Sequence, residues 1–144
     1  MKKSVLVSVL GTQKNEFGEI DRIELLTPGT FFIRDGSYYI VYKETEITGM
    51  EGTTTTVKAE PHLVTLNRMG TQDLKQTFEE QVPNASLYVT PYGSMNLTVI
   101  PSKVQVSISD EGGIIDLAYE LQVDQRKISD NTLTLQITVK EARK

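Results

Sequence analysis

Residues 112–124, GGIIDLAYELQVD, and residues 131–141, NTLTLQITVKE, carry the pattern that decides the fold. In the second stretch Leu133, Leu135, Ile137 and Val139 share one parity, while Thr132, Thr134, Gln136 and Thr138 share the other. In the first, Ile115, Leu117, Tyr119, Leu121 and Val123 alternate against Asp116, Glu120, Gln122 and Asp124. A period of two sends successive side chains to opposite faces of a strand. One apolar face and one wet face mark an antiparallel sheet with its core on one side. Thr, Val, Ile and Tyr suit such a pleated surface.

The same parity recurs upstream. In GTTTTVKAE (52–60), Val57 and Ala59 lie in phase with Thr53 and Thr55, and Lys58 and Glu60 mark the wet face. The start, MKKSVLVSVLG, reads as a first strand. Its apolar run is short, Ser8 interrupts it, and no small-residue cleavage site follows, so the signal-peptide pattern is not met. Asp35-Gly36 in RDGS supplies the positive φ of a type I′ hairpin. Gly18, Gly49, Gly52, Gly70, Gly112 and Gly113 offer further turns. Pro28, Pro91 and Pro101 remove ladder donors, which predicts bulges, corners or rims at those positions. The stretch EEQVPNAS (79–86) reads as a loop with room for a single turn of helix.

Counting gives about nine or ten strands, each with one apolar face, joined by short connections that favour an up-and-down meander. A meander of that many strands closes, because closure removes sticky edges. The expectation is an all-β, antiparallel up-and-down β-barrel forming one domain over residues 1–144, with little or no helix.

Composition narrows the chemistry. There is no cysteine, which excludes disulfides, thiolate metal sites and thiol catalysis. A single histidine, His62, would leave any zinc or haem site leaning on one imidazole. It follows Pro61 in a turn, with no nucleophile or carboxylate beside it, and reads as surface. The Asp130-Asn131 pair is turn chemistry, since the spaced oxygen ligands of a calcium loop are missing. No metal, cofactor or catalytic residue is expected. A net charge of −4 without a Lys/Arg cluster argues against nucleic acid. No apolar run is long enough to span a membrane, and the expected location is the cytoplasm, as a monomer or homodimer.

Parity also exposes the candidate site. In SYYIVYKETE (37–46), if Lys43 and Thr45 face water, then Ile40, Tyr42, Glu44 and Glu46 face the lumen. In HLVTLNRMG (62–70), Arg68 continues the apolar phase of Val64 and Leu66. Gln76, in phase with Leu74 and Phe78, joins them. An ionised carboxylate inside a barrel must pair, protonate or stay wet, and the always-charged, two-pronged guanidinium of Arg68 is its natural partner. The two stand on strands separated by one other. Tyr42, Tyr88 and Tyr119 add rings with polar tips, which serve core packing and ligand pockets alike. The pair reads either as an internal network that fixes register or as a grip on a small polar or anionic ligand.

The succession YYIVYKETE…G…TTTTVKAE, VTLNRMG, YVTPYGSMNL, GGIIDLAYELQV and NTLTLQITV resembles the YwiB-like family of small bacterial proteins, assigned a domain of unknown function. The resemblance covers nearly the whole chain and implies a lipocalin-like (calycin-type) β-barrel. Glu44, Arg68, Tyr88, Gly93 and Tyr119 fall where the family pattern places a similar residue, and it brings no catalytic role to them. True lipocalins carry a G-x-W signature in the first strand, which a chain without Trp cannot have.

Three functions follow as expectations. The first is a non-enzymatic binding module holding a small polar or amphipathic ligand in the lumen with Tyr42, Glu44, Arg68, Gln76, Tyr88 and Tyr119. Barrels of about eight strands can hold one small ligand or be filled by side chains. The second is a protein-interaction or regulatory scaffold, with a filled barrel and exposed aromatics among Phe31, Phe32, Tyr38 and Tyr39. The third is an enzyme with Glu44 as base and Arg68 steadying an anion.

Overall fold

The computed structural model describes residues 2–48 and 50–140. Ten strands follow one another: β1 (Lys2–Asn15), β2 (Ile20–Arg34), β3 (Ser37–Lys43), β4 (Thr53–Glu60), β5 (Leu63–Gly70), β6 (Leu74–Phe78), β7 (Asn84–Thr90), β8 (Gly93–Ser109), β9 (Gly112–Val123) and β10 (Arg126–Val139). They form one sheet in the order β6-β5-β4-β3-β2-β1-β10-β9-β8-β7. Every ladder is antiparallel, and β1 joins β10 as well as β2. The two ends of this sheet meet at Asp73 and Val89, which exchange backbone hydrogen bonds of 2.9 and 3.0 Å. The sheet therefore curls into a nearly closed up-and-down barrel, consistent with the lipocalin-like architecture that the resemblance implies.

The alternation that identified the strands also fills the barrel. Val5 and Val7 of β1, Phe31 of β2, Ile40 of β3, Val57 of β4, Val64 and Leu66 of β5, Phe78 of β6, Val99 of β8, Ile115 of β9 and Leu135 of β10 are all but inaccessible. They belong to one contiguous cluster. Each such side chain contributes roughly 1.5–3 kcal/mol by leaving water, so most of the lumen is core rather than cavity.

Turn chemistry behaves as read where it matters. Asp35 and Gly36 take φ of 52° and 80°, the paired positive values of a type I′ hairpin. The β8–β9 register shifts between Pro101 and Lys103, so Pro101 sits at a bulge. Pro91 lies in the β7–β8 turn, and Pro28 lies just beyond Gly29–Tyr42, the last pair of the β2–β3 ladder.

Four readings are corrected. Residues 79–86 hold no helical turn and are loop only as far as 83: Gln81 has positive φ and its N–H donates to the Pro101 carbonyl at 2.8 Å, which breaks any helical path, and β7 starts at Asn84. Gly112 and Gly113 begin β9, and the turn is Asp110-Glu111. Glu46 is exposed, because β3 ends at Lys43 and parity stops there. Phe31 is buried, in phase with Leu25 and Thr27, so it cannot serve an outer contact. Gly49 lies outside the described residues.

Candidate functional site

Three neighbouring strands align the inward side chains at one end of the barrel. Tyr42 pairs with Thr55, and Thr55 with Arg68, while Arg68 pairs onward with Leu74. Glu44 stands just past β3, held in strand-like continuation by its N–H, which donates to the Thr53 carbonyl at 2.8 Å. Its carboxylate is buried and accepts from the hydroxyls of Thr55 and Thr48, the latter at 3.1 Å. The Nε of Arg68 lies 3.7 Å from Oε2 of Glu44. That is an ion pair without a hydrogen bond, and this Nε is buried with no hydrogen-bond partner. The two side chains differ sharply in access: 1% of Glu44 and 19% of Arg68 reach solvent.

The pair acts on two tyrosines. Burial raises the pKa of Tyr42 well above that of an ordinary phenol, and the charge of Glu44 adds to it. Arg68 and a hydrogen bond with Thr55 pull the other way. Tyr88 is half-buried; burial raises its pKa and the charge of Arg68 opposes the rise. Its phenol donates to Oε1 of Gln72, whose backbone N–H donates to Oγ1 of Thr53 at 3.2 Å. The Gly70 N–H donates to Oδ1 of Asp73 at 3.0 Å, which fixes the β5–β6 turn carrying Gln72. Arg68 is thus the electrostatic centre of a polar end built from β3, β4, β5, the β5–β6 turn and β7.

Gln76 is buried one inward step from Leu74 and pairs with Leu66. Extending the Asp73–Val89 register places it opposite Ser86 of β7, whose Oγ is buried and unpartnered. Tyr119 is not brought to this group. Its ring packs edge-on against Phe78, with centroids 5.0 Å apart at 63°, as part of the core packing. Of the six sequence candidates, Tyr42, Glu44, Arg68 and Tyr88 share one electrostatic group, Gln76 flanks it, and Tyr119 packs elsewhere.

Several contributors were missed. Thr55 was legible, since it lies in phase with Val57. Thr48 and Gln72 sit in irregular turns, where no periodicity announces direction. Ser86 lies on β7, whose inner face Asn84, Ser86 and Tyr88 is polar throughout and gives no apolar phase. His62 is exposed in the β4–β5 turn, as read. Among the described residues no group of acids and histidine is placed to hold a metal, and no helix is long and apolar enough to cross a membrane. A groove of about 470 Å³ is lined largely by outward-phase residues of β1, β8, β9 and β10, including Thr12, Ile100, Ala118 and Thr132, away from this polar end.

Comparison with known proteins agrees with the architecture. The model of a family described as a domain of unknown function (DUF1934) matches residues 7–135. The uncharacterized beta-barrel protein YwiB of Bacillus subtilis (strain 168) is 25% identical over 119 residues, covering 81% of this chain and 82% of the relative. The crystal structure of the YwiB protein from Bacillus subtilis matches with a TM-score of 0.87 at 20% identity, covering 97% of this chain and 94% of that one. At that identity the likeness bears on the fold alone.

Proposed function

We propose a function from the polar end of the barrel itself, because the chain belongs to the DUF1934 family, described as a domain of unknown function. In this reading it is a non-enzymatic binding module. A small polar ligand sits against Arg68, with Tyr88, Gln76 and Ser86 around it, while Glu44 and Tyr42 hold the guanidinium in place. The observation that carries the reading is the state of Arg68. Its Nε is buried without an acceptor, and 19% of the side chain remains accessible. A structural ion pair normally satisfies a buried guanidinium N–H, since an orphaned buried donor costs about 1–3 kcal/mol. A charged group whose buried N–H lacks an acceptor is what a polar ligand inside the barrel can use. The packed core below confines this ligand to the polar end, so a long apolar chain does not fit the reading.

Native mass spectrometry of the purified chain tests it. A small-molecule adduct is expected on the wild type and absent from Arg68→Met, with urea unfolding followed in parallel. Retention of the adduct by a folded Arg68→Met variant overturns the reading.

A second reading draws on a different observation. The lumen is largely filled, and the outer face carries Phe32 stacked on Tyr39 (centroids 5.0 Å, 3°) between Lys2, Arg34 and Lys58. A protein-interaction scaffold would use that row. Pull-down with a Phe32→Ser/Tyr39→Ser variant against the wild type separates the two.

A further inference from the structure

The barrel is fastened unevenly. β1 and β2 stay in register from Lys2–Phe32 to Lys14–Ile20, and β8 and β9 pair from Leu97–Val123 to Ser109–Gly112 with one register shift after Pro101. β6 and β7 form no ladder: Glu79–Val82 closes their connection, and at the far end the single bridge Asp73–Val89 joins the residue before β6 to β7. Further along, the Thr77 N–H donates to Oδ1 of Asn84 at 2.9 Å, to a side chain and not to a β7 carbonyl. Between these two fastenings no backbone hydrogen bond joins the strands among the described residues. Extending the bridge register sets Lys75 opposite Leu87, and Gln76 opposite Ser86. Leu87 and Val89 are exposed on the outside, at 56% and 40%.

The end of the barrel beside Arg68 is tied more firmly. Thr48 bonds the Glu44 carboxylate, Gln72 bonds Thr53, Tyr88 bonds Gln72, and the Thr71 N–H donates to the Gly52 carbonyl at 3.4 Å. The orphaned Oγ of Ser86 lies on the seam, and the orphaned Nε of Arg68 lies one strand behind it. Regions with few backbone bonds open locally at lower free energy than the rest of a fold.

We propose that the β6–β7 seam is the gate through which a small polar ligand reaches Arg68, opening by local separation of the two strands while the other ladders hold. This rests on the binding reading above and adds its route. The gate has Gln76 and Ser86 on its inner lip and Lys75 and Leu87 on its outer lip. The roof of loops over Glu44 and Arg68 stays closed as it opens.

The absence of cysteine from the chain makes the test clean. Lys75→Cys/Leu87→Cys is oxidised to staple the seam, with disulfide formation confirmed by mass. Phenylglyoxal then modifies the arginines, and peptide mapping follows each rate. Exposed Arg22, Arg34 and Arg126 serve as internal standards. The expected result is a fall of about tenfold in the Arg68 rate on oxidation, restored by reduction, with the standards unchanged. A second staple, Asp73→Cys/Val89→Cys, uses the observed bridge, where a Cα separation of about 5.5 Å suits a disulfide. Slowing of Arg68 by either staple supports the gate; equal rates in oxidised and reduced forms of both overturn it. Because phenylglyoxal reports access and the Arg68→Met adduct experiment reports binding, failure of the gate and failure of the binding reading are distinguishable.

Discussion

Arg68 and Glu44 belong to segments that are not sheet neighbours, yet Nε and Oε2 approach to 3.7 Å across Thr55 of the intervening strand. The Thr55 hydroxyl donates to that same Oε2. A short side chain on β4 leaves room for the long ones on either side to meet over it.

That arrangement predicts a coupled pair. Glu44→Leu strands a guanidinium beside two hydroxyls, and Arg68→Met strands a buried carboxylate. Each single change is expected to cost about 3 kcal/mol or more, in the range for breaking a buried pair. Glu44→Leu sits at the lower end, because the charge it strands on Arg68 is partly solvated, and Arg68→Met above it, because the Glu44 carboxylate it strands is buried. The double variant Glu44→Leu/Arg68→Met is expected to cost less than the sum by about 1–3 kcal/mol. Urea unfolding of the four proteins closes the cycle. Strict additivity would mean that the two charges do not interact.

Tyr42 gives a pH prediction. Its folded pKa is raised, chiefly by burial and then by Glu44, above the ordinary phenol value of 10.0. Above pH 10 the unfolded chain loses this phenolic proton while the folded chain keeps it. The folded state then binds more protons, so stability falls as pH rises, by up to about 1.4 kcal/mol per pH unit for one group. The loss begins near the unfolded pKa and ends at the folded one. Tyr42→Phe is expected to flatten the alkaline limb of a stability-versus-pH curve by close to one proton. Tyr38 and Tyr88, also raised, contribute their own slopes and remain in both proteins. An unchanged alkaline slope would refute the assignment.

The fold was legible because most strands have one clear apolar parity. Leu133, Leu135, Ile137 and Val139 required no tertiary information to be sorted from their neighbours, and all four face the core. Glu44 and Arg68 were legible for the same reason, as charges standing in an apolar phase. What escaped depends on where strands stop. Parity carried past Glu44 assigns Glu46 inward, whereas the chain has already turned. Thr48 and Gln72 owe their positions to turns, which alternation does not describe. Tyr119 was correctly sent inward, but parity gives a face and not a height along the barrel, so it could not separate Tyr119 from the Glu44 end.

Gly70 ties the backbone to the site. Its φ is 134°, and a Cβ there would collide with the carbonyl oxygen of Gly52 across the β4–β5 pair. Gly18 also has positive φ, 83°, but a Cβ there meets nothing within 4 Å. Gly18→Ala is therefore expected to cost about 1 kcal/mol for conformation alone. Gly70→Ala should cost at least about twice as much, with strain added to conformation. It should also raise the phenylglyoxal reactivity of Arg68, two residues away, as the turn shifts. Thermal unfolding and arginine mapping check both parts.

Phe78 decides whether the middle of the barrel is core or cavity. It is 1% exposed, packs edge-on against Tyr119, and sits at the end of the shortest strand. If the lumen is filled, Phe78→Ala removes a ring that its neighbours cannot replace without breaking the ladders that hold them. The cost is then about 3–5 kcal/mol, as transfer and cavity terms add. If the lumen were a hollow ligand chamber, that ring would line solvent and its loss would cost far less. Phe78→Leu keeps most of the volume and is expected to lose about half as much, so the two together scale with the space vacated. Denaturant unfolding measures both, and a cost under about 1 kcal/mol for Phe78→Ala would contradict the packed core. It would also reopen the depth of the barrel to larger, less polar ligands than Arg68 and Tyr88 alone can hold.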